Sequence, residues 1–226
     1  MRVMTWNIHS CIGCDFRRDT RRVANAVGLA RPDIFAVQEV DIRPRWGDPV
    51  HLLDLLGEQA GVHRFETYTM SGPSREYGIA LLSRWPLTLN RIVDLAYRSR
   101  EPRRAIDATV ATPDGPVRIL ATHLGLTRGE RADQIARLID ALGPDDGPTI
   151  ALGDFNDWLN PGPVGRAMAD RFPSVVTGRT FPSRFPLFAL DRIFLTRHFR
   201  ATPLAVDIPW KASDHRAVVA DVTRTD

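Results

Sequence analysis

Apolar residues in this chain come in short runs, each closed by a polar, glycine or proline break. The runs at 2–8, 33–39, 77–83, 104–111, 117–122, 148–152, 190–195, 202–208 and 216–222 are short and rich in β-branched residues, so they predict strands. A helical spacing of apolar residues falls at 19–31, 49–60, 128–142 and 162–170. Asp19 or Thr20 is a suitable cap for the first of these helices. Thr127 with Glu130 three residues on makes a capping-box pattern for the third. "PDGP" at 113–116 is a turn signal between two of the strands.

Strands outnumber helices, and the helices are scattered among them. Tight connections such as the one at "PDGP" argue against a simple doubly wound parallel sheet. Stacked mixed sheets with helices outside suit the order better. No linker, low-complexity tract or repeat interrupts residues 1–226, so one domain is expected. The 226 residues are 43% hydrophobic and 25% charged, an ordinary balance for a chain that buries its own core. No apolar run reaches the length of a membrane span and no signal-peptide pattern precedes the first strand, which leads to the expectation of a cytoplasmic protein. A net charge of +3 is too small to name nucleic acid as the partner. Lys211 is the only lysine; the other basic residues are arginines, whose planar forks match phosphate oxygens.

The chemistry lies where the strands end. "VMTW" runs into Asn7, "IFAV" into Gln38-Glu39, "VRILAT" into His123 and "TIAL" into "GDFND", while Ser213-Asp214-His215 stands just before the last strand. Each alone also reads as an ordinary turn or solvated end. Together they put amides, carboxylates and imidazoles at one end of several buried-looking strands, where such groups are rarely left unpaired. Glu39, Asp154 and Asp214 are hard oxygen donors, and Asn7 and Asn156 are neutral amides. That set suits Mg²⁺ or Mn²⁺ better than zinc. With His123 and His215 beside it, the set can hydrolyse phosphate esters. The other chemical signal is "CIGC", with Cys11 and Cys14 between a strand and a helix, the spacing of a thiol redox site. "DFRRD" separates the second cysteine from the helix, which weakens that reading.

The segments "TWNIH", "QEV", "YGIALLSRWP", "RRAID", "THL", "GDFND", "LDRIFL" and "SDHRAV" resemble, in this order, the endonuclease/exonuclease/phosphatase superfamily. The resemblance implies a deoxyribonuclease I-like fold: a four-layer α/β/β/α sandwich of two mixed β-sheets flanked by helices. It implies a divalent-metal phosphoesterase, nuclease-like, with hydrolysis of a phospholipid headgroup or an inositol phosphate as the alternative; the sequence itself points to no obligate protein partner. Carried over by position, Glu39, Asn7 and Asp214 look like the metal side. Asp154 and Asn156 look like the pair that positions or deprotonates the attacking water. His215 looks like the essential histidine, Asp191 the carboxylate that orients it, and His123 the second histidine on the phosphate. Arg104 matches a basic position near the phosphate, with Arg103 competing for it, and Tyr77 reads as a substrate-binding residue at the rim or as packing. His9, Arg43, Arg45, Trp46, Glu76 and Trp158 are variable neighbours with no role fixed by the resemblance.

Overall fold

A computed structural model describes residues 1–43, 46–47, 50–70, 76–144, 147–159 and 162–225. Two six-stranded sheets carry the fold. The first has the order β11 (Phe199–Pro203), β12 (Val218–Arg224), β1 (Arg2–Asn7), β2 (Ile34–Asp41), β4 (Tyr77–Ser83), β3 (His63–Met70). The second has the order β5 (Leu87–Asp94), β6 (Arg104–Thr112), β7 (Gly115–His123), β8 (Thr149–Asp154), β10 (Asp191–Leu195), β9 (Ser174–Thr177). Both sheets are mixed: β1–β2 and β7–β8 pair parallel and the other neighbours antiparallel. The expected sandwich is the observed one.

Alternation along each strand builds the layers. Val3, Ile34, Ile79, Ile106, Ile119, Ile150 and Ile193 fill the space between the sheets. The opposite face of the first sheet, with Met4, Trp6, Phe35 and Val37, packs on α1 (Thr20–Ala30) and α2 (Leu52–Ala60). The opposite face of the second sheet, with Leu120, Ala151 and Phe194, packs on α3 (Arg128–Leu142) and α4 (Pro163–Met168). Asp19 caps α1 by accepting from the Arg22 amide, and Thr127 and Glu130 form the full capping box of α3. Among the described residues no helix is long and apolar enough to cross a membrane.

Three strands escaped the sequence pattern, and one was misplaced. β5 is a largely exposed edge strand, β3 is the other sheet's edge with a weak apolar signal, and β9 has only four residues. The strand expected at 202–208 is Phe199–Pro203 instead. Pro203 has no N–H for a ladder, and it stands at the end of this edge strand. The start of the helix expected at 49–60 lies partly outside the described residues; the observed helix is Leu52–Ala60.

Candidate active site

The alternation that fills the core also builds the site. Val3 faces the second sheet, and two steps of two residues later so does Asn7 at the end of β1. In the same way Ile119 and Ala121 lead to His123, Ile150 and Leu152 lead to Asp154, and Ile193 and Leu195 share their face with Asp191. His123 and Asp191 are both register partners of Asp154. The polar ends thus meet at one mouth of the seam between the sheets.

Glu39 needs a device to join them, because its parity on β2 would send it under the helices. A β-bulge shifts the β2–β4 register between Gln38 and Val40, and Glu39 takes a left-handed φ of 57°. Its carboxylate then accepts from Asn7 Nδ2 at 2.9 Å. Asn7 Nδ2 also reaches Asp154 Oδ2 at 3.1 Å, so one amide links the two sheets. Gly153 lets the last turn of β8 lie against β7: at its φ of 152° a Cβ would stand 1.9 Å from the Thr122 carbonyl.

The imidazoles are fixed by opposite partners. His215 Nδ1 donates to Asp191 Oδ2 at 2.8 Å, which turns Nε2 toward Asp154 Oδ2 at 3.9 Å. Burial alone would lower its pKa, but Asp191, then Asp154 and Asp214, raise it to about 10, so His215 is an imidazolium at neutral pH. His123 Nδ1 lies 3.3 Å from an Arg103 nitrogen that can only donate, so Nδ1 accepts and Nε2 carries the proton, 3.5 Å from Asp154 Oδ2. Burial, then the charges of Arg103 and His215, push His123 well below its ordinary value, so it stays neutral. Burial and Asp191 raise Asp154 to about 6 against His215, the Asn156 amide and Asn7. Ser213 ties this corner down: its hydroxyl donates to the Asn7 carbonyl at 2.7 Å and accepts from the His215 amide at 3.1 Å.

The remaining candidates fall around this core. Asn156, at a left-handed φ of 48°, gives its amide N–H to Asp154 Oδ1 and its Nδ2 to the Leu124 carbonyl, so it holds the loop and the carboxylate together. Asp214 is half-exposed at the edge, 3.7 Å from His9 Nδ1. Tyr77 starts β4 beside Glu39; burial and the Glu39 charge push its hydroxyl up, so it stays a protonated donor. Arg103 is the arginine that meets His123, whereas Arg104 donates to the Thr67 hydroxyl at 3.2 Å; both line a narrow crevice with Tyr77 and His123. The resemblance pointed to Arg104 with Arg103 competing for the position, and the buried guanidinium beside His123 is that of Arg103. Ser213 also went unassigned, and its place inside "SDH" was the available signal.

Several neighbours prove structural. Arg43 pairs with buried Asp41, and the Arg18 guanidinium lies 4.9 Å over the Trp46 ring. Arg45 lies outside the described residues. Glu76 is exposed, with its carbonyl accepting from the Ile42 amide. Cys11 is buried in the core beneath the first sheet, and Cys14 Sγ lies 3.2 Å from Ser183 Oγ; the two form no disulfide. In "GDFND" the second aspartate, Asp157, turns away from the site to the buried Arg192 guanidinium at 3.1 Å.

The donor set fits a hard divalent cation. Glu39, Asp154, Asp191 and Asp214 crowd one mouth against the cations of His215 and Arg103, and among the described residues Glu39 has no arginine or lysine partner. Ligand atoms of Asp154, Asp191 and His215 lie within 4.8 Å of one another. The 2.8 Å bond between Asp191 and His215 engages one oxygen and one nitrogen of that trio with each other. Glu39, whose carboxylate accepts from the Asn7 amide, could hold such an ion together with the oxygens of Asn7 and Asp214.

A profile of the endonuclease/exonuclease/phosphatase family matches residues 4–215. The chain belongs to the endonuclease/exonuclease/phosphatase family. Members of this family are hydrolases that act on phosphate esters. The chain is 29% identical over 245 residues to the uncharacterized protein YbhP of Escherichia coli strain K12, covering 98% of this chain and 95% of YbhP. It resembles the crystal structure of endonuclease/exonuclease/phosphatase from Beutenbergia cavernae with a TM-score of 0.80 at 22% identity, over 99% of this chain and 71% of that one. The human Nocturnin catalytic domain with bound sulfate matches with a TM-score of 0.73 at 22% identity, over 100% of this chain and 93% of that one. Both structures share the fold.

Proposed function

We propose that this protein is a divalent-metal-dependent phosphoesterase that hydrolyses a phosphodiester by attack of an activated water. The observation that carries the reading is the unbroken line of contacts Asp191–His215–Asp154–Asn7–Glu39 across the seam, with His123 on Asp154. Asp154, a carboxylate above about pH 6, takes the proton from water. The Asn156 amide and Asn7 hold that carboxylate in place. His215, locked by Asp191, offers Nε2–H to a phosphoryl oxygen, and neutral His123 offers a second N–H from the other side. Arg103 adds positive charge behind His123. Mg²⁺ or Mn²⁺, held by Glu39 with Asn7 and Asp214, would supply charge neutralisation at the phosphoryl group. To face such an ion the Asn7 Oδ1 must leave the His9 amide, which it accepts from at 3.0 Å. Sulfate bound to the Nocturnin catalytic domain, a tetrahedral oxyanion on the same fold, supports a phosphate-type substrate.

The test is hydrolysis of bis(p-nitrophenyl) phosphate with Mg²⁺ or Mn²⁺, with and without EDTA. The His215→Ala protein is expected to lose activity ~100-fold or more. Full activity in that variant, or in excess EDTA, would overturn the reading.

A further inference from the structure

The loops around the mouth carry a second pattern that hydrolysis does not use. Among the described residues the exposed Phe and Trp side chains are Phe16, Trp158, Phe185 and Trp210; Trp210 opens the 3-10 turn Trp210–Ala212 and the other three stand in loops. Phe16 is 92% exposed and Phe185 68%, and the aliphatic tips Leu187 and Leu159 are 62% and 63% exposed. Side chains of this size are rarely left in water together unless the patch binds something.

The loops touch one another. Gly13, whose carbonyl accepts from the Phe16 amide at 2.8 Å, packs so closely on the 3-10 turn Trp210–Ala212 that a Cβ would stand 1.9 Å from the Lys211 carbonyl. The Ser183 hydroxyl donates to the Trp210 carbonyl at 2.8 Å, and the Ser183 amide donates to Asp214 in the site. Trp158 meets Phe181 and Phe188 edge to face, and Phe181 lies 5.0 Å from the His215 ring. The apolar crown is therefore continuous with the catalytic corner.

Cations are interleaved with it. The Arg184 guanidinium lies over the rings of Phe185 and Trp210 at 5.2 and 5.4 Å, and Lys211 Nζ lies 5.5 Å from the Trp210 ring. Residues 178–188 hold two arginines and no acid. Aromatic and leucine tips beside a few basic groups match a bilayer interface, where apolar tips enter the acyl boundary and cations meet phosphates. Single-stranded nucleic acid would use the aromatic faces, but leucine tips give bases nothing to stack on, and cations already cover faces of Phe185 and Trp210.

We infer that this crown docks the protein on an anionic phospholipid surface and that the substrate is a lipid headgroup phosphodiester presented there. The inference of substrate rests on the phosphodiesterase reading above; docking does not. In the reaction the water oxygen bonds to phosphorus, one P–O ester bond breaks, and the released alkoxide takes a proton, giving one alcohol and one phosphomonoester.

Docking is read with the His215→Ala protein, so that lipid is not consumed, by co-sedimentation with vesicles of phosphatidylglycerol and phosphatidylethanolamine against pure phosphatidylcholine. Binding is expected, stronger on the anionic vesicles. Phe185→Ser with Leu187→Ser should weaken it about tenfold or more. In the otherwise wild-type protein the same pair should slow release of headgroup products from vesicles and leave bis(p-nitrophenyl) phosphate turnover unchanged. No vesicle binding by His215→Ala, or binding indifferent to the paired substitution, overturns the inference while soluble-diester hydrolysis keeps the phosphodiesterase reading. Vesicle binding without any diester hydrolysis keeps the docking and sinks the phosphodiesterase reading together with the lipid substrate. Binding and cleavage of single-stranded DNA, lost in the Phe185→Ser/Leu187→Ser protein while vesicles are ignored, would assign the crown to nucleic acid instead.

Discussion

Asp191 shows how little of a side chain's job its own position states. It is fully buried, and one oxygen accepts from His215 while the other has no hydrogen-bond partner. Its charge is the first of those that hold His215 protonated against burial. Asp191→Asn keeps the shape and removes the charge, so His215 should lose its proton at a lower pH. The expected outcome is a fall in kcat of roughly 10- to 100-fold, with the His215 imidazole titration moved down when followed by NMR. An unchanged His215 titration would separate Asp191 from this role. At this scale the sequence was legible where the residue ends a strand, as Asn7, His123 and Asp154 do. It was not legible at Arg103, because whether Arg103 or Arg104 reaches His123 depends on where β6 starts, a matter of one residue. Glu39 is the opposite case: its motif was readable, but the bulge that turns it inward was not, because a left-handed glutamate has no local signature.

The elements are tied by buried charges that motifs do not advertise. "LDRIFL" sends Asp191 to the site and Arg192 to the other face of β10, where it is buried with Asp157 from the loop after β8. Asp157 also accepts from the Val164 amide at 3.1 Å, so the pair anchors α4 to the second sheet. Asp157→Ala leaves Arg192 buried and unpaired, and should cost about 3–5 kcal/mol in urea unfolding. Adding Arg192→Met should recover part of that loss, since the uncompensated charge is then gone. On the outer face of the same sheet, Asp107 joins β6 to Arg118 of β7 and Asn90 of β5. Burial would raise its pKa, yet the Arg118 and Asn90 hydrogen bonds and the charges of Arg118 and Arg91 lower it. A carboxyl depressed in the fold adds stability above its unfolded pKa near ~3.9, lost as pH falls through the folded value. Asp107→Asn should therefore be less stable than wild type at neutral pH, with the gap closing below about pH 4. A gap that stays constant down to acid would remove Asp107 from the account. These ties join the edge element β5, whose exposed pattern hid it from the sequence reading, to the buried strands that were readable.

Across the whole molecule the site lies on the seam between two sheets, and that position gives it a mechanical consequence. Asn7 and Glu39 belong to the first sheet, whereas Asp154, Asp191 and His123 belong to the second. The carboxylates of the two halves face each other with one amide, Asn7, bridging them. Their mutual repulsion is a cost of the folded state alone, because unfolding lets them separate. A divalent cation bound by Glu39 with Asn7 and Asp214 would offset that cost and bind only the fold, so mass action raises stability by about 2.7 kcal/mol at a hundred times the dissociation constant. For a chain of this size that corresponds to a rise in Tm of roughly 5–10 °C. Mg²⁺ or Mn²⁺ should produce this shift in wild type, and EDTA should reverse it. Glu39→Gln should raise the Tm of the cation-free protein slightly, by removing one of the opposed charges, and should abolish most of the cation-dependent rise. His215→Ala, which leaves the three donors in place, should keep the rise even though it stops hydrolysis. Differential scanning fluorimetry on the three proteins separates cation binding from catalysis. A Glu39→Gln protein that responds to Mg²⁺ like wild type would move the ion to the Asp154, Asp191 and His215 cluster.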